Sequence, residues 1–160
     1  MELSKVKIEV PSGFNMILGQ SHFIKTVEDI YEALITSSPN IKFGIAFCES
    51  SGPALIRYDG NDEKSIELAL DIAKKVSAGH FFVIVLNGSY PINVLNRIKM
   101  VQEVVTLYCA TANPVEVIIA ETDLGRGVLG VIDGLKSKGI EDEEEKRKRH
   151  EFLRKLGYKK

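Results

Sequence analysis

The chain has 160 residues, of which 44% are hydrophobic and 27% charged, and its formal net charge is −1. This length suits one domain (residues 1–160) with its own core, and the even balance of charge argues against a chain-wide basic surface for nucleic acid. The two cysteines, Cys48 and Cys109, are too few for a disulfide framework, and the longest apolar run, residues 81–86, is too short to span a bilayer. We therefore expect a soluble, cytoplasmic, single-domain protein with no nucleic-acid or membrane partner.

The first half of the chain predicts helices and strands in turn. The spacing of apolar residues predicts helices over residues 23–37 and 62–78, and Asn61 stands before the second as its cap. Three segments are predicted strands, and the second of them is apolar on both faces: residues 4–10, 41–48 and 54–58.

The second half continues this alternation. A third helix is predicted around residues 92–101, and a charged C-terminal helix over about 140–156, whose acidic residues precede its basic ones as the helix dipole favours. Four further strands are predicted, at residues 80–86, 104–110, 115–121 and 128–133. The pattern indicates an α/β fold, a mixed β-sheet with helices packed on it.

Two stretches of the chain share one spacing of apolar and serine residues. Five pairs recur at a constant offset: Leu18 with Leu86, Ser21 with Ser89, Ile24 with Ile92, Val27 with Leu95 and Ile30 with Ile98. An internal duplication of a strand–helix–strand unit is one interpretation, and shared helical periodicity is the other. The duplication would put His22 and Tyr90 at equivalent positions, each just before a helix N-terminus, where an anion is favoured.

The glycines of residues 125–130 (GRGVLG) have the spacing of a dinucleotide-binding fingerprint. That fingerprint needs a helix to open within it, whereas residues 128–133 predict a hairpin strand, so dinucleotide binding is excluded. A protein-kinase glycine loop does lie on a hairpin, but too little chain follows for the rest of that fold. What remains is a tight turn carrying Arg126, whose guanidinium is either a phosphate ligand or a plain surface group.

Polar residues stand at the ends of the apolar strands, which is typical of a pocket rim or of solvated loops. Glu49 offers a ribose acceptor or a general base, and Ser51 a hydroxyl donor. His22 precedes a helix and His80 a buried strand, positions where ligand sites of α/β proteins gather. No spacing of cysteine or histidine resembles a zinc site, and we predict no protein-bound metal.

Seven segments of the chain recur in the same order in one small protein family. They are GQSHFIKTVED (residues 19–29), FCE (47–49), GND (60–62), AGH (78–80), PINVLN (91–96), ATANP (110–114) and AET (120–122). By these motifs the chain resembles the adenosine-specific kinase family of archaea and some bacteria, over about residues 6–158. The resemblance implies that adenosine or AMP is the ligand, and that phosphotransfer passes through a phosphohistidine.

The resemblance also implies the roles of the candidate site residues. His22 and His80 both lie in shared motifs, and either is the expected phosphoryl acceptor, since a neutral imidazole is a competent nucleophile. Glu49 or Glu121 would orient that ring or accept from the ribose hydroxyls. The other expected ligand contacts come from Gln20, Ser21, Phe47, Cys48, Ser51, Arg57, Asn93, Asn96, Asn113 and Arg126, the two arginines neutralising the transferred charge.

We expect no tightly bound cofactor, although Mg²⁺ would accompany the substrate phosphates with one or two carboxylates. We also expect a homo-oligomer. Two rival interpretations stay open. One is a non-catalytic module that senses adenine nucleotides without turnover, and the other is a structural subunit whose histidines are merely buried.

Overall fold

The structure, a computed structural model, describes residues 1–160 and contains eight strands and four helices. The strands are β1 (Glu2–Ile8), β2 (Phe14–Ser21), β3 (Lys42–Cys48), β4 (Ile56–Gly60), β5 (Phe81–Asn87), β6 (Val104–Thr111), β7 (Val115–Glu121) and β8 (Arg126–Asp133). The helices are α1 (Thr26–Ile35), α2 (Glu63–Val76), α3 (Leu95–Lys99) and α4 (Glu143–Lys155), and a one-turn 3₁₀ helix, Pro91–Asn93, precedes α3.

The strands form two sheets. Five strands lie in the order β4-β3-β5-β2-β6, and three in the order β1-β7-β8. The predicted α/β fold is confirmed, but every strand pairing is antiparallel, where the sequence had suggested a mixed sheet. The reason is the position of β5. β2 and β3, joined through α1, run in the same direction, yet β5 lies between them and pairs antiparallel with both.

The five-stranded sheet separates two hydrophobic layers. Alternate residues of β5 show this most clearly, because Phe81, Val83 and Val85 belong to one buried cluster and Phe82, Ile84 and Leu86 to the other. The first cluster is completed by α2 and the three-stranded sheet. The second is completed by α1 and α3. Burial on both faces explains why the β5 sequence is continuously apolar.

Antiparallel pairing brings several strand ends together at one end of the five-stranded sheet. β2 ends there at Ser21, beside the start of β5 at Phe81, and β3 ends there at Cys48. We call this region the histidine end, defined by the residues that flank those strands: Ser21, His22, Cys48, Glu49, His80 and Glu103.

The helix boundaries differ from the predicted ones by a few residues. The cap of α2 is Asp62, whose carboxylate accepts from the backbone N–H of Ser65 at 3.0 Å, and not Asn61 as predicted. The Asn61 side chain instead joins the backbone of Phe43 and Ile41. The charged C-terminal helix is present as α4, with none of its residues buried. None of the helices is both long and apolar enough to cross a membrane.

Candidate functional site

Backbone hydrogen bonds bring His22 and His80 together at the histidine end. The N–H of His80 donates to the carbonyl of Cys48 at 2.8 Å, and the N–H of Ser21 donates to the carbonyl of His80 at 2.9 Å. His22 follows Ser21, and the two imidazole rings meet edge to face with their centroids 6.4 Å apart. The structure therefore pairs two histidines that are far apart in sequence.

His80 is held in an unusual backbone conformation. Its φ of +63° lies in the left-handed region, which histidine, asparagine and aspartate tolerate better than other side chains. Its half-buried ring stacks on that of Phe47, a residue of β3 that is 1% exposed, with the ring centroids 5.8 Å apart. The ring thus has a fixed wall on one side and the imidazole of His22 on another.

The ring of His22 is exposed, although its backbone is fixed. Its N–H donates to the carbonyl of Glu103 at 2.8 Å, just before β6. The preceding residue, Ser21, is fully buried, and its hydroxyl donates to the same carbonyl at 3.1 Å. The anchored backbone and exposed ring leave the imidazole open to a substrate.

Glu49 and Arg57 form an ion pair at the same end of the sheet. The Arg57 Nη2 atom lies 2.9 Å from Oε2 of Glu49, and the backbone N–H of Leu55 donates to the same oxygen at 3.3 Å. β4 supplies Arg57, and the loop after β3 supplies Glu49. Two predicted site residues are thereby joined, with the charge of the guanidinium already neutralised.

A cavity of about 640 Å³ lies between residues 77–79 and the β7–β8 hairpin, and neither His22 nor His80 lines it. Arg126 lines it and donates to the carboxylate of Glu121 at 2.9 Å and to the carbonyl of Val76, at the end of α2, at 3.0 Å. On the opposite wall Gly79 lies so close to Ser50 that a Cβ atom on it would stand 2.9 Å from the Cβ of Ser50. The cavity is lined from the α2 side of the five-stranded sheet, whereas the ring of His80 stacks on Phe47, which packs on the α1 side.

Both thiols are poor nucleophiles in this structure. Burial raises the pKa of Cys48 to about 11, and burial with the nearby charge of Asp133 raises that of Cys109 to about 12. The thiolate is the reactive form. Cys48 is therefore a buried packing residue of the histidine end and not a nucleophile.

The remaining predicted site residues divide between the two ends of the sheet. Gln20 is the half-buried next-to-last residue of β2, and Ser51 is exposed in the loop after β3, both near the histidines. Three asparagines lie toward the other end. Asn93 and Asn96 are exposed after β5, and Asn113 follows β6, where its amide donates to the carboxylate of Asp133 at 3.1 Å.

No pattern in the sequence predicts Glu103 as part of the histidine end. Its residue is only 4% exposed, and neither carboxylate oxygen has a hydrogen-bond partner. Burial raises the pKa of this carboxyl group. A lone glutamate before an apolar strand is ordinarily read as a solvated strand end, so only the three-dimensional structure reveals it.

The side chains present do not form a resident metal site. No group of three or more histidine, cysteine, aspartate or glutamate side chains converges anywhere in residues 1–160. The carboxylates of Glu49, at the histidine end, and of Glu121, at the end of β7, are each paired with an arginine. A metal ion there would need further ligands from outside the chain.

Comparison with known proteins identifies the family. The sequence profile described as adenosine specific kinase matches residues 6–159, nearly the whole chain. The crystal structure of the PH1918 protein from Pyrococcus horikoshii OT3 has 48% sequence identity and a TM-score of 0.94, covering 99% of this chain and 98% of that chain. No curated protein matches at a significant level. The chain belongs to the adenosine-specific kinase family, and this membership supports an adenosine-related kinase function.

Proposed function

We propose that the chain binds adenosine or AMP at the histidine end and transfers a phosphoryl group through a phosphohistidine. The observation that carries this proposal is the pairing of two imidazoles, with ring centroids 6.4 Å apart, at the end of the sheet that also holds the Glu49–Arg57 ion pair. Imidazole is the side chain that changes its charge between pH 5 and 8, which suits it to both nucleophilic and acid–base roles.

The proposed reaction has two balanced steps. First, an imidazole nitrogen attacks the phosphorus of a phosphoanhydride or phosphate ester. The N–P bond forms while the P–O bond to the leaving group breaks, and the electron pair leaves with that oxygen. In the second step the 5′-hydroxyl oxygen of adenosine attacks the same phosphorus. The new O–P bond forms while the N–P bond breaks, its electron pair returns to the ring, and the hydroxyl proton passes to a neighbouring base.

The two histidines are unequal candidates for the acceptor. His22 is exposed, with its ring flanked only by the rings of Phe23 and His80, at centroid distances of 6.1 and 6.4 Å. His80 is stacked on Phe47 and held in a left-handed conformation, which suits a ring that orients or exchanges protons with its neighbour. Accessibility favours His22 as the acceptor and His80 as its partner.

The surrounding charges would serve the substrate. Arg57 and Arg126 would share their guanidinium groups between their present carboxylates and the phosphate, as phosphoryl transfer requires neutralisation of charge. Mg²⁺ would come with the substrate phosphates, held also by Glu49 or Glu121, and would supply further neutralising charge. We place this activity in the cytoplasm, where free thiols such as Cys48 and Cys109 persist.

A second candidate function is a module that senses adenine nucleotides without turnover. The observation that favours it is that both arginines proposed to contact the phosphate are already paired with carboxylates, at 2.9 Å in each case. A site of this kind has less free positive charge to stabilise a transferred phosphoryl group. It would still bind an adenine nucleotide.

Replacing each histidine by asparagine separates these functions. Asparagine tolerates the left-handed backbone at residue 80, so His80→Asn should fold, and His150→Asn, on the exposed α4, is the matched control. With ATP labelled on its terminal phosphate, we expect the wild type and His150→Asn to become labelled, with a label that is labile in acid and stable in base. We expect His22→Asn to carry no such label. Calorimetric titration with AMP should show binding to all variants, and GMP should bind to none.

The results distinguish three cases. AMP binding with no label on the wild type or on any variant would favour the sensor. Label that survives in both His22→Asn and His80→Asn would exclude the phosphohistidine. No heat with AMP, in protein shown to be folded, would overturn both nucleotide functions and leave the histidines structural.

A further inference from the structure

Glu103 is the one buried side chain of the chain whose polar atoms lack any hydrogen-bond partner. Both of its carboxylate oxygens are unpaired, and its side chain is 2% exposed. Burial of an ionised carboxylate without partners is among the costliest arrangements in a protein. The group must therefore be neutralised, either by a cation or by a proton.

The charged groups that face Glu103 come from the start of α1. The Lys25 ammonium lies 3.8 Å from Oε2 of Glu103 but only 2.8 Å from Oδ2 of Asp29. Asp29 is placed to accept a hydrogen bond from Glu103 once Glu103 is protonated, and Lys25 and Asp29 are the two charged residues that act on the pKa of Glu103. Two carboxyl groups thus share one ammonium, which is closer to Asp29.

Asp29 is half-buried and takes the nearer contact to the ammonium, so the buried carboxylate of Glu103 is left without full neutralisation, and like charges close together cannot both stay ionised without cost. A proton on Glu103 removes the second charge and turns its unpaired oxygen into an O–H donor for Asp29. The cluster would then be neutral as a whole, with Lys25 paired to the carboxylate of Asp29. This arrangement gives the carboxyl group of Glu103 the partner that the ionised form lacks.

We propose that Glu103 is a positioning residue: it keeps a proton where exposed glutamates are ionised, donates it to Asp29, and so holds the turn that carries His22. The connection is direct, because the carbonyl of Glu103 receives both the N–H of His22 at 2.8 Å and the hydroxyl of Ser21 at 3.1 Å. The inference rests on the proposed function only for the importance it gives to His22.

Two opposite pH dependences follow. The pKa of Glu103 is raised, chiefly by burial, so its contribution to stability is complete below the ordinary glutamate value and is lost as the pH rises through the folded value. Asp29, whose pKa the Lys25 hydrogen bond lowers, behaves in the opposite sense. Each unit by which the pKa of Glu103 is raised lowers the folding equilibrium constant about tenfold at higher pH.

Glu103→Gln tests the proposal, because glutamine has the shape of the protonated side chain and keeps an N–H donor for Asp29 at every pH. Glu28→Gln, on the exposed face of the same helix as Asp29, is the matched control. The first measurement is a pH titration of the glutamate side-chain carboxyl carbons by NMR in nucleotide-free protein. The second follows the backbone N–H resonance of His22 over the same pH range.

We expect the Glu103 carboxyl signal to titrate above about 4.3, the value of an exposed glutamate, and the His22 N–H signal of wild type to shift with it. In Glu103→Gln that shift should vanish while the low-pH position of the His22 signal is kept, and Glu28→Gln should behave as wild type. A Glu103 signal that titrates at or below the exposed value overturns the proposal.

The proposal also fails if Glu103→Gln displaces the His22 signal as much as Glu103→Ala does. Where the variants fold poorly, the wild-type titration alone decides, with Glu103 assigned through its backbone. Because no nucleotide is present, a negative result here leaves AMP binding and phosphohistidine formation untouched, and their failure leaves this result standing.

Discussion

The guanidinium of Arg126 joins the β7–β8 hairpin to the end of α2. It donates to two consecutive carbonyls of that helix, those of Lys75 and Val76, and to the carboxylate of Glu121. The last carbonyls of a helix have no partner within the helix, and a cation there is favoured by the dipole. Arg126 therefore supports the wall of the cavity even before any phosphate arrives.

Arg126→Met should lower the free energy of unfolding by about 2 kcal/mol, because a charged group loses a half-buried hydrogen bond to the carbonyl of Val76 and two exposed ones, to Lys75 and Glu121. Arg97→Met, which removes a single exposed hydrogen bond to Thr36, is the control and should change it by less than about 0.5 kcal/mol. Denaturant unfolding measures both. Equal effects of the two substitutions would contradict the supporting role of Arg126.

The same variant tells whether Arg126 also touches phosphate. If it does, calorimetry should show weaker binding of AMP and unchanged binding of adenosine. A parallel loss for both ligands would mean that the wall of the cavity, and not the phosphate contact, had been damaged.

At the scale of elements, the contact between β3 and the first turn of α2 leaves no room for a side chain. A Cβ atom on Gly44 would clash with the backbone nitrogen of Ile66 and with the backbone of Ser65. Backbone atoms cannot move as a flexible side chain would, so this glycine fixes how closely the helix lies on the sheet. The approach also aligns the cap of α2 with the sheet, since Asp62 accepts from Asn87 at the end of β5.

Gly44→Ala should therefore lower the free energy of unfolding by about 3 kcal/mol, at the upper end of the usual cost of overpacking. Gly127→Ala is the matched control, because nothing lies within 4 Å of a Cβ atom there. Thermal and denaturant unfolding measure both variants. A Gly44→Ala protein as stable as Gly127→Ala would mean that α2 does not lie against β3 as described.

The cap of α2 makes part of the stability depend on pH. Hydrogen bonds from the hydroxyl and N–H of Ser65 and from Asn87 lower the pKa of Asp62, the Ser65 hydroxyl being the largest cause. Its stabilisation is therefore present above the ordinary aspartate pKa of about 3.9 and is lost as the pH falls through the lower folded value. Asp62→Ala should cost about 1–2 kcal/mol at neutral pH, and the difference from wild type should shrink in acid.

Asp142→Ala is the matched control for that cap. Asp142 caps α4 in the same way, accepting from the N–H of Glu145 at 2.8 Å, but α4 buries no residue. Global unfolding followed by near-ultraviolet circular dichroism should hardly change in this variant. A pH-independent effect of Asp62→Ala would contradict the role assigned to its charge.

At the scale of the whole molecule, the five-stranded sheet is the rigid centre and α4 lies outside it. Six consecutive residues of β5, Phe81–Leu86, are buried, whereas α4 buries none of its residues and carries ion pairs along its own surface, such as Lys146 with Glu143 and Lys148 with Glu145. Exposed pairs of this kind contribute only a few tenths of a kcal/mol each. The expected homo-oligomer stays a prediction, and α4 is one surface on which it can be tested.

Amide hydrogen exchange should be slowest in β5 and fastest among the helices in α4, because local opening follows buried contacts. The measurement is made at two protein concentrations, with light scattering to give the mass. Protection of α4 that approaches that of β5 would contradict this picture of the monomer and would point to a partner copy packed on the helix.

Much of this architecture was predictable because burial leaves a periodic trace in the sequence. The apolar run of β5 and the helical stripe of α2 predicted both elements to within a few residues. The order of strands was not predictable, since nothing local in the chain says that β5 lies between β2 and β3. The sequence correctly predicted that His22, His80 and Glu49 lie at strand ends. For the same reason it could not predict at which end of the sheet a residue lies, and three asparagines lie toward the opposite end: Asn93, Asn96 and Asn113.

The most direct test of the proposed site uses the three histidines of the chain as reporters. Their ring resonances are followed by NMR while AMP, and separately GMP, is titrated into the wild-type protein. We predict that AMP shifts the His22 and His80 signals saturably, that the signal of the exposed His150 on α4 stays in place, and that GMP shifts none. AMP binding that leaves both His22 and His80 unmoved, or that moves His150 alone, would contradict an adenosine site at the histidine end.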